Sequence, residues 1–352
     1  MTTTSPLGWN PQFQLEFSKN TSNLQPARII AVDRDSYLVA FDANPDDPPL
    51  RVSLAGRLRH ANTQPLAVGD WVGISETRID YVCHRSSSFV RKRVGDSSAE
   101  QVIAANVDWT LAAVSLNDDF SPGRVERFVL AAWDAGTTPV VLLTKCDLAN
   151  NTEDAIDALS AVAIGCTIIP TSVRTGEGIE EIRSIIGAGQ TAVLVGSSGV
   201  GKSTLINALL GREVQVTSDI RGADAKGRHT TTRRELLRIP DTGGLIIDTP
   251  GMREFGVVGS EDGQGLEQSF RDIEELAMAC GFRDCQHQSE PDCAVLDAVD
   301  DGELEQHRLD SYFKLLRELA YNERRQDAAQ QRKQGRALSA LIRQHTKHHH
   351  KR

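Results

Sequence analysis

Hydrophobic and polar positions alternate in short runs through the first quarter of the chain. Between about residues 27 and 93, β-rich stretches are separated by clusters of Asp, Asn, Pro and Gly, and they read ARIIAV, SYLVAF, RVSLAG, GDWVGI and DYVCH. Short strands bounded by turn residues predict a small all-β barrel or sandwich. An OB-type barrel and an SH3-like or other small barrel fit this spacing almost equally well.

The pattern changes after the sequence QVIAANVDW, where buried-type strands begin to alternate with amphipathic helices. Ser121 and Pro122 predict the N-cap and the first residue of one helix, and Gly136 predicts its end. The apolar positions of this helix fall at i, i+3, i+4, i+7 and i+8, and they are Val125, Phe128, Val129, Ala132 and Trp133. Continued alternation predicts an α/β fold, a mostly parallel sheet with helices on both faces.

The two ends of the chain lack such patterns. Residues 1–25 are rich in Thr, Ser, Asn and Gln, which predicts disorder. Residues 331–352 carry seven Lys or Arg and no acid, and removing this +7 from the net charge of −9 leaves the remainder at −16. This basic tail is interpreted either as a contact for a polyanion or as a solvated, disordered segment.

Length and composition set the class of protein. A chain of 352 residues is long enough for two or three domains, each with its own core. No apolar run approaches 20 residues, so we expect no membrane span, no signal peptide and a cytoplasmic location. In that compartment the six cysteines are expected to be thiols or metal ligands rather than disulfides. We expect a monomer.

A phosphate-binding loop is predicted at Gly196–Ser203, which reads GSSGVGKS and fits GxxxxGK(S/T). The loop follows an apolar strand and opens a helix, so its backbone N–H groups and the helix N-terminus can surround phosphates. Lys202 is expected to reach the β- and γ-phosphates, and Ser203 is expected to bind Mg²⁺. The sequence therefore predicts a nucleotide site with Mg²⁺.

Two later segments have the pattern of nucleotide switches. GLIIDTPGM places Asp248 at the end of an apolar strand, where a carboxylate holds Mg²⁺ through water. Gly251 can offer its N–H to the γ-phosphate. In GRHTTT, the hydroxyl of Thr231 can complete the Mg²⁺ shell only when a γ-phosphate is present, which is the usual logic of a switch.

The base-recognition motif comes before the phosphate loop. In VVLLTKCDL, Asp147 can accept hydrogen bonds from the ring N–H and the exocyclic amine of guanine, a donor pair that adenine lacks. The stem of Lys145 can cover one face of the base, and the backbone of residues 171–173 can meet the guanine carbonyl oxygen. If the ends of a GTPase domain are joined and the chain is reopened before the base motif, this order results, because domain termini tend to lie close together.

A cysteine and histidine cluster follows the switches. CGFRDCQHQSEPDC places Cys280, Cys285, His287 and Cys293 in the spacing C-x₄-C-x-H-x₅-C. Three thiolates and one imidazole match a closed, tetrahedral Zn²⁺ site with no open position for catalysis. We therefore expect one structural zinc ion, which holds together a helical domain that is too small to bury a core of its own.

These permuted motifs, the barrel before them and the cysteine cluster after them resemble the RsgA family, the ribosome small subunit-dependent GTPases of ribosome assembly. The resemblance covers roughly residues 27–320 and rests on AGRLRH, VGDWV, IAANVD, GSSGVGKSTLIN, KGRHTTT and DTPGMREF. It implies an N-terminal OB-type β-barrel, a circularly permuted P-loop GTPase domain and a C-terminal zinc-binding helical domain. It also implies a factor that tests the nearly mature 30S subunit, contacts ribosomal RNA and hydrolyses GTP there.

Two positions depart from the common GTPase pattern. Thr144 stands where most GTPases have Asn, so one contact to the base and loop becomes a hydroxyl contact. Met252 stands where many GTPases have the Gln that orients the attacking water, and a thioether cannot do this. The resemblance implies slow basal hydrolysis and assigns the catalytic role to His229, which is otherwise a surface-loop histidine.

The predicted divisions are a disordered N-terminus (1–25), an OB-type barrel (26–98), the permuted GTPase domain (99–258), the zinc-binding helical domain (259–330) and the basic tail (331–352). His229 and Thr231 are the candidate catalytic residues. The candidate nucleotide-binding residues are Thr144, Lys145, Cys146, Asp147, Ser172, Gly196, Ser197, Ser198, Gly199, Val200, Gly201, Lys202, Ser203, Thr204, Asp248 and Gly251. A GTP hydrolase stimulated by the 30S subunit is the favoured function. The alternative is a nucleotide-regulated RNA-binding clamp in which hydrolysis is incidental.

Overall fold

The computed structural model describes most of the chain. The described residues are 5–21, 23–34, 36–60, 65–92, 100–116, 120–149, 151–212, 234–249, 264–317 and 320. The predicted basic tail lies outside them. Within the described residues, no helix is both long enough and apolar enough to cross a membrane.

The N-terminal barrel is built from five short strands. These strands are β1 (Gln25–Val32), β2 (Tyr37–Ala40), β3 (Leu50–Leu54), β4 (Trp71–Ser75) and β5 (Arg78–Val82). Their order is β1-β2-β3-β5-β4, and β4 returns to pair with β1, so the barrel closes. The helix α2 (Gly56–His60) connects β3 to β4. The all-β prediction is confirmed, and a closed five-stranded barrel favours the OB-type alternative.

The prediction of disorder for residues 1–25 is wrong for residues 11–20. They form helix α1 (Pro11–Asn20), whose first turn is capped by Asn10 Oδ1, which accepts from Phe13 N at 3.0 Å. Phe13 and Phe17 are buried against Trp71 and the aromatic rings around it. A few aromatic residues in a polar segment were enough to order the helix, because the barrel offered them an apolar surface.

The buried Arg28 joins the N-terminal segment to the barrel and to the next domain. Its guanidinium donates to the carbonyl oxygens of Leu7 (2.5 Å), Gly69 (3.1 Å) and Asn106 (2.8 Å). Burial lowers the pKa of Arg28 to about 10, and the charges of Asp108 and two other carboxylates oppose that shift. The side chain therefore stays charged at neutral pH and ties three chain segments together.

A two-stranded hairpin, β6 (Ser88–Lys92) and β7 (Glu100–Ala105), follows the barrel. The hairpin spans the domain boundary that the sequence placed between residues 98 and 99. Backbone bonds attach it on both sides, since Ala105 N donates to Val68 O of the barrel and Ser88 N donates to Ala135 O of the next domain.

The central domain contains the predicted α/β sheet. Its strands are β8 (Trp109–Ser115), β9 (Thr138–Thr144), β10 (Thr167–Thr171), β11 (Thr191–Gly196), β12 (Glu235–Arg238) and β13 (Leu245–Asp248). Their order is β10-β9-β8-β11-β13-β12, and β12 alone of these described strands is antiparallel to its neighbour within the domain. The helices between them are α3 (Pro122–Asp134), α4 (Glu153–Ser160), α5 (Ile179–Ile185) and α6 (Lys202–Leu210).

Helix α3 shows how well local pattern predicted this domain. It begins after Ser121 with Pro122 at the first helical position, and Gly136 beyond its end has a φ of +76°. The predicted apolar stripe is buried except for Trp133, which is half-buried. Glu126 is also buried, which the charge of its side chain did not suggest.

The C-terminal region is helical and packs on α3. It contains α7 (Gln264–Ser269), α8 (Arg271–Ala277), α9 (Ala294–Asp300) and a helical stretch over residues 306–317. Its apolar core includes Phe270, Leu309 and Leu315, and Leu130 of α3 completes that core. This region therefore shares its core with the α/β domain.

Candidate functional site

The predicted phosphate loop connects β11 to α6 at the carboxyl end of the parallel strands. All six residues of β11 are buried, which anchors the start of the loop. Gly196 lies so close to β8 that an added Cβ would be 2.4 Å from the carbonyl oxygen of Ala113. Gly199 and Gly201 have φ of +78° and +100° with open space where a side chain would project. The loop therefore needs glycine for its backbone shape and leaves room for a ligand.

Two cations lie against this loop. The Lys202 ammonium donates to the carbonyl oxygens of Gly196 and Ser197, both at 2.6 Å. Arg124, in the first turn of α3, donates to Ser197 Oγ at 3.0 Å. Ser198 is exposed on the loop, and Ser203 and Thr204 follow Lys202 at the start of α6. Positive charge is thus concentrated where phosphate groups would bind.

Asp248 ends β13, the strand beside β11, and its side chain is 7% exposed. Burial and the nearby Glu235 raise the pKa of Asp248 to about 6, and the positive charge of Lys202 opposes this shift. A buried carboxylate next to a phosphate loop is suited to a divalent cation, whose charge would offset the cost of ionising it. Thr249 Oγ1 donates to Leu194 O at 3.2 Å and holds the end of the strand.

The base motif lies beside the phosphate loop. Thr144 ends β9, and its hydroxyl lies 2.8 Å from Val200 O of the loop. Lys145 has a φ of +62°, and its ammonium donates to Gly199 O at 2.8 Å. Two motifs that are more than 50 residues apart in the sequence are therefore joined by direct hydrogen bonds.

The second base segment meets the first through the pairing of β9 with β10. Thr171 pairs with Thr144, and the next residue, Ser172, donates from Oγ to Asp147 Oδ1 at 2.7 Å. Asp147 lies on a short 3₁₀ turn with Cys146, whose thiol is buried. Arg174 approaches the other carboxylate oxygen of Asp147 at 3.8 Å. Asp147 is thereby held at the carboxyl end of the sheet.

Several predicted residues are not placed. His229 and Thr231 lie outside the described residues, and so do Gly251 and Met252. Their roles stay predictions.

The four predicted metal ligands come together at the carboxyl end of α8. Cys280, Cys285, His287 and Cys293 each offer a ligand atom, and these atoms all lie within 4.8 Å of one another. The two sulfurs of Cys280 and Cys293 are 3.9 Å apart, and His287 Nδ1 lies 3.6 Å and 3.4 Å from them. Tetrahedral zinc with ordinary bond lengths separates two sulfurs by about 3.8 Å and a sulfur from a nitrogen by about 3.5 Å. The cluster is therefore compatible with Zn²⁺.

Glu290, which sequence reasoning missed, organises the loop between the ligands. Its carboxylate accepts hydrogen bonds from the backbone N–H groups of Gln286, Gln288 and Ser289 at 2.9 to 3.0 Å. These bonds lower the pKa of Glu290 to about 2. The carboxylate therefore stays ionised and shapes the turn that presents His287.

Other residues at the site were also missed. Arg124 and Arg174 were not singled out because a lone arginine in a helix or after a strand has no distinctive spacing. The proximity of Arg124 to the loop depends on β8 lying next to β11, which is a tertiary feature. The order of the strands in the sheet, rather than a sequence motif, identifies Arg124 as a neighbour of the loop.

Comparison with known proteins gives two family matches. The protein-family model described as RsgA GTPase matches residues 82–258. A second model, described as ABC transporter, matches residues 179–344, a segment that begins just before the phosphate loop. The matched segment contains the whole phosphate loop, a motif that nucleotide-binding proteins of different families share.

Curated relatives resemble nearly the whole chain. A protein of Vibrio vulnificus named small ribosomal subunit biogenesis GTPase RsgA 2 is 43% identical over 322 residues, which are 91% of this chain and 89% of the relative. The Streptomyces avermitilis protein named small ribosomal subunit biogenesis GTPase RsgA is 42% identical over 321 residues, covering 89% and 85% of the two chains.

Two solved structures share the fold. The crystal structure of YjeQ from Thermotoga maritima has a TM-score of 0.62 at 26% identity and covers 84% of this chain and 98% of that one. YloQ, described as a circularly permuted GTPase, also has a TM-score of 0.62, at 28% identity over 86% of this chain and 96% of that one. The permuted order of motifs is therefore a property of a known fold.

Proposed function

Because the chain belongs to the RsgA GTPase family, we propose that it hydrolyses GTP during biogenesis of the small (30S) ribosomal subunit. One observation of the structure carries the nucleotide assignment. The base motif is bonded directly to the phosphate loop, through Lys145 to Gly199 and Thr144 to Val200. A base held by Asp147 and phosphates held by the loop can thus belong to one nucleotide.

Each part of the site has a role in binding GTP. Asp147 accepts from the ring N–H and amine of guanine, and its bond from Ser172 fixes the orientation of the carboxylate. Lys202 leaves the carbonyl oxygens of the loop for the β- and γ-phosphates, because ionised oxygens are the stronger acceptors. The N–H groups of Gly196–Ser203 surround the phosphates. GDP uses the same contacts and is expected to bind as product.

Residues at the carboxyl ends of β11 and β13 prepare the reaction. Ser203 and Asp248 would hold Mg²⁺, which would offset negative charge on the β- and γ-phosphates. Thr231 would join this shell in the GTP state. His229 would orient the attacking water, since Met252 has no polar group with which to do so. Hydrolysis in the free protein is then slow, and contact with the 30S subunit accelerates it by bringing His229 to the γ-phosphate.

We further propose that one zinc ion per chain is held by the Cys₃His cluster. With four protein ligands, this ion would have no free position for substrate and would be structural. Its removal would loosen the loop between α8 and α9, while the phosphate loop keeps its own supports in β11 and α6.

We assign the remaining contacts by charge and fold. The OB-type barrel (26–98) and the basic tail (331–352) would dock on ribosomal RNA, the permuted GTPase domain (99–258) would hydrolyse GTP, and the helical domain (259–330) would hold zinc. The protein would act in the cytoplasm as a monomer. The names of the curated relatives favour a GTPase over a clamp in which hydrolysis is incidental.

The test is GTP turnover with and without purified 30S subunits. We expect stimulation by orders of magnitude, as when a missing group is supplied by a partner. The Asp147→Asn protein is the matched control, because it should lose stimulated GTP hydrolysis and gain stimulated XTP hydrolysis. The xanthine base of XTP has an acceptor, a carbonyl oxygen, where guanine has the amine. Turnover that 30S subunits leave unchanged would contradict the proposal.

A further inference from the structure

Thr144 occupies a buried position between the base motif and the phosphate loop. Its side chain is 6% exposed, and its Oγ1 lies 2.8 Å from Val200 O and 3.2 Å from Val114 O. A threonine hydroxyl has one hydrogen to donate, whereas an asparagine amide has two. The single hydrogen of Thr144 is therefore already claimed by two backbone carbonyl groups, of which Val200 O is the nearer.

The position of Thr144 determines which part of a bound base it faces. It contacts the phosphate loop, whereas Asp147, three residues later, accepts a hydrogen bond from Ser172 of the second base segment. In a guanine nucleotide, the imidazole ring of the base carries the ribose and the phosphates, and the other ring carries the donors that Asp147 reads. Thr144 therefore faces the imidazole ring, whose exposed polar atom is N7, an acceptor.

We propose that the described base motif gives no direct hydrogen bond to N7 of a bound guanine nucleotide and that Thr144 sets this property. The inference rests on the proposed function, since it concerns the base of the same nucleotide. N7 needs a donor, and the only hydrogen of the Thr144 hydroxyl points to a loop carbonyl. The ammonium of the next residue, Lys145, is bonded to Gly199 O at 2.8 Å.

The consequence is a loss of affinity rather than of selectivity. Both adenine and guanine present N7 as an acceptor, so a contact to N7 cannot distinguish them. The choice of guanine remains with Asp147, whose Oδ1 is fixed by Ser172 at 2.7 Å. Replacing the amide of asparagine with the hydroxyl of threonine thus retains the bond to the loop and gives up only the contact that all purines share.

The experiment compares GDP with 7-deaza-GDP, in which a C–H group replaces N7. Titration of the full-length protein with Mg²⁺ should give dissociation constants for the two nucleotides within about twofold of each other. Thr144→Asn should favour GDP by between about two- and tenfold, the range expected for one neutral hydrogen bond. Thr144→Val, which has the same shape without a donor, should weaken the binding of both nucleotides while keeping the wild-type ratio of their dissociation constants.

The outcomes separate this inference from the proposed function. A preference of the wild-type protein for GDP over 7-deaza-GDP of more than about twofold would overturn the inference alone, because GDP binding itself would be intact. If ADP bound as well as GDP, the proposed function would fail and the inference with it. The wild-type ratio is sufficient to decide even if the Thr144→Asn protein does not fold.

Discussion

Replacing Arg308 with methionine tests how the C-terminal helical region is held on α3. The Arg308 guanidinium bonds Glu126 of α3 at 3.1 Å and Asp272 of α8 at 3.1 Å, and it lies 4.1 Å from the centre of the Phe270 ring. The side chains of Arg308 and Glu126 are only 3% and 5% exposed. Methionine keeps much of the volume and removes the charge, so the Glu126 carboxylate would be left buried without its counter-ion.

Breaking a buried pair by removing one partner costs about 3 to 5 kcal/mol. This pair belongs in that range because both side chains are nearly inaccessible, whereas Asp272 is more exposed and can be solvated when Arg308 is absent. A loss of this size lowers hydrogen-exchange protection of residues 264–317 by roughly a hundredfold to a few thousandfold. Exchange measured by mass spectrometry reports that opening directly, without assuming that the whole chain unfolds in one step.

The loss should depend on pH. Burial raises the pKa of Glu126 above its ordinary value, and the charge of Arg308 is the main influence that opposes it. Without Arg308 the pKa of Glu126 rises further above its unfolded value of about 4.3. A charged Glu126 lowers the stability of the folded state. This loss of stability is therefore absent at pH values below the unfolded-state pKa and complete at pH values above the folded-state pKa. Arg308→Met should lose more stability at pH 8 than at pH 5, after correction for intrinsic exchange rates.

The double variant Glu126→Gln with Arg308→Met is the control. It carries no buried charge at this position, so it should recover stability relative to Arg308→Met at pH 8 and show no such pH dependence. A loss below about 1 kcal/mol that is equal at pH 5 and pH 8 would refute the reasoning, because it would mean that Glu126 is solvated or differently paired.

Three further outcomes are expected. Asp147→Asn should weaken GDP binding by about 2 to 5 kcal/mol and improve XDP binding, measured by calorimetry, and equal affinities for ADP and GDP in the wild type would contradict the role of Asp147. Chelation of zinc should expose residues from about 275 onward to exchange while GDP affinity changes less than threefold, and metal analysis should find one zinc per chain. His229→Ala should abolish most of the 30S stimulation at saturating GTP with GTP affinity nearly unchanged, and full stimulation with normal 30S binding would exclude His229.

Sequence reasoning succeeded where a structural feature depends on residues that are close together in the sequence. The phosphate loop is one continuous segment whose glycines have positive φ, so Gly199 and Gly201 could be recognised without a fold. The four residues of the Cys₃His cluster lie within fourteen residues of one another in the sequence, and their spacing was enough to predict the cluster. The barrel strands were predicted for the same reason, since alternation and turn residues are local. The choice of an OB-type barrel needed the return of β4 to β1.

Sequence reasoning failed where a side chain finds its partner far along the chain. Phe13 and Phe17 lie in the segment that was predicted to be disordered, and they are buried because they pack against the barrel. Glu126 looked like a solvent-facing position of α3, and its partner Arg308 lies 182 residues away. Nothing in the local pattern of either segment indicates this pair, because its burial results from packing the helical region on α3.

The join between barrel and central domain also affects solubility. Strand β12 would end the α/β sheet, but β1 of the barrel pairs with it at Ala31 and Glu235, so another strand covers the start of β12. At the opposite end of the described sheet, β10 contains Pro170, which cannot donate a backbone hydrogen bond to an incoming strand. Pro170 thus hinders the pairing of a further strand at one end of the sheet, and the barrel covers the other end. A fragment that lacks the barrel would expose β12 as an unpaired edge strand, and its chains would aggregate through that edge.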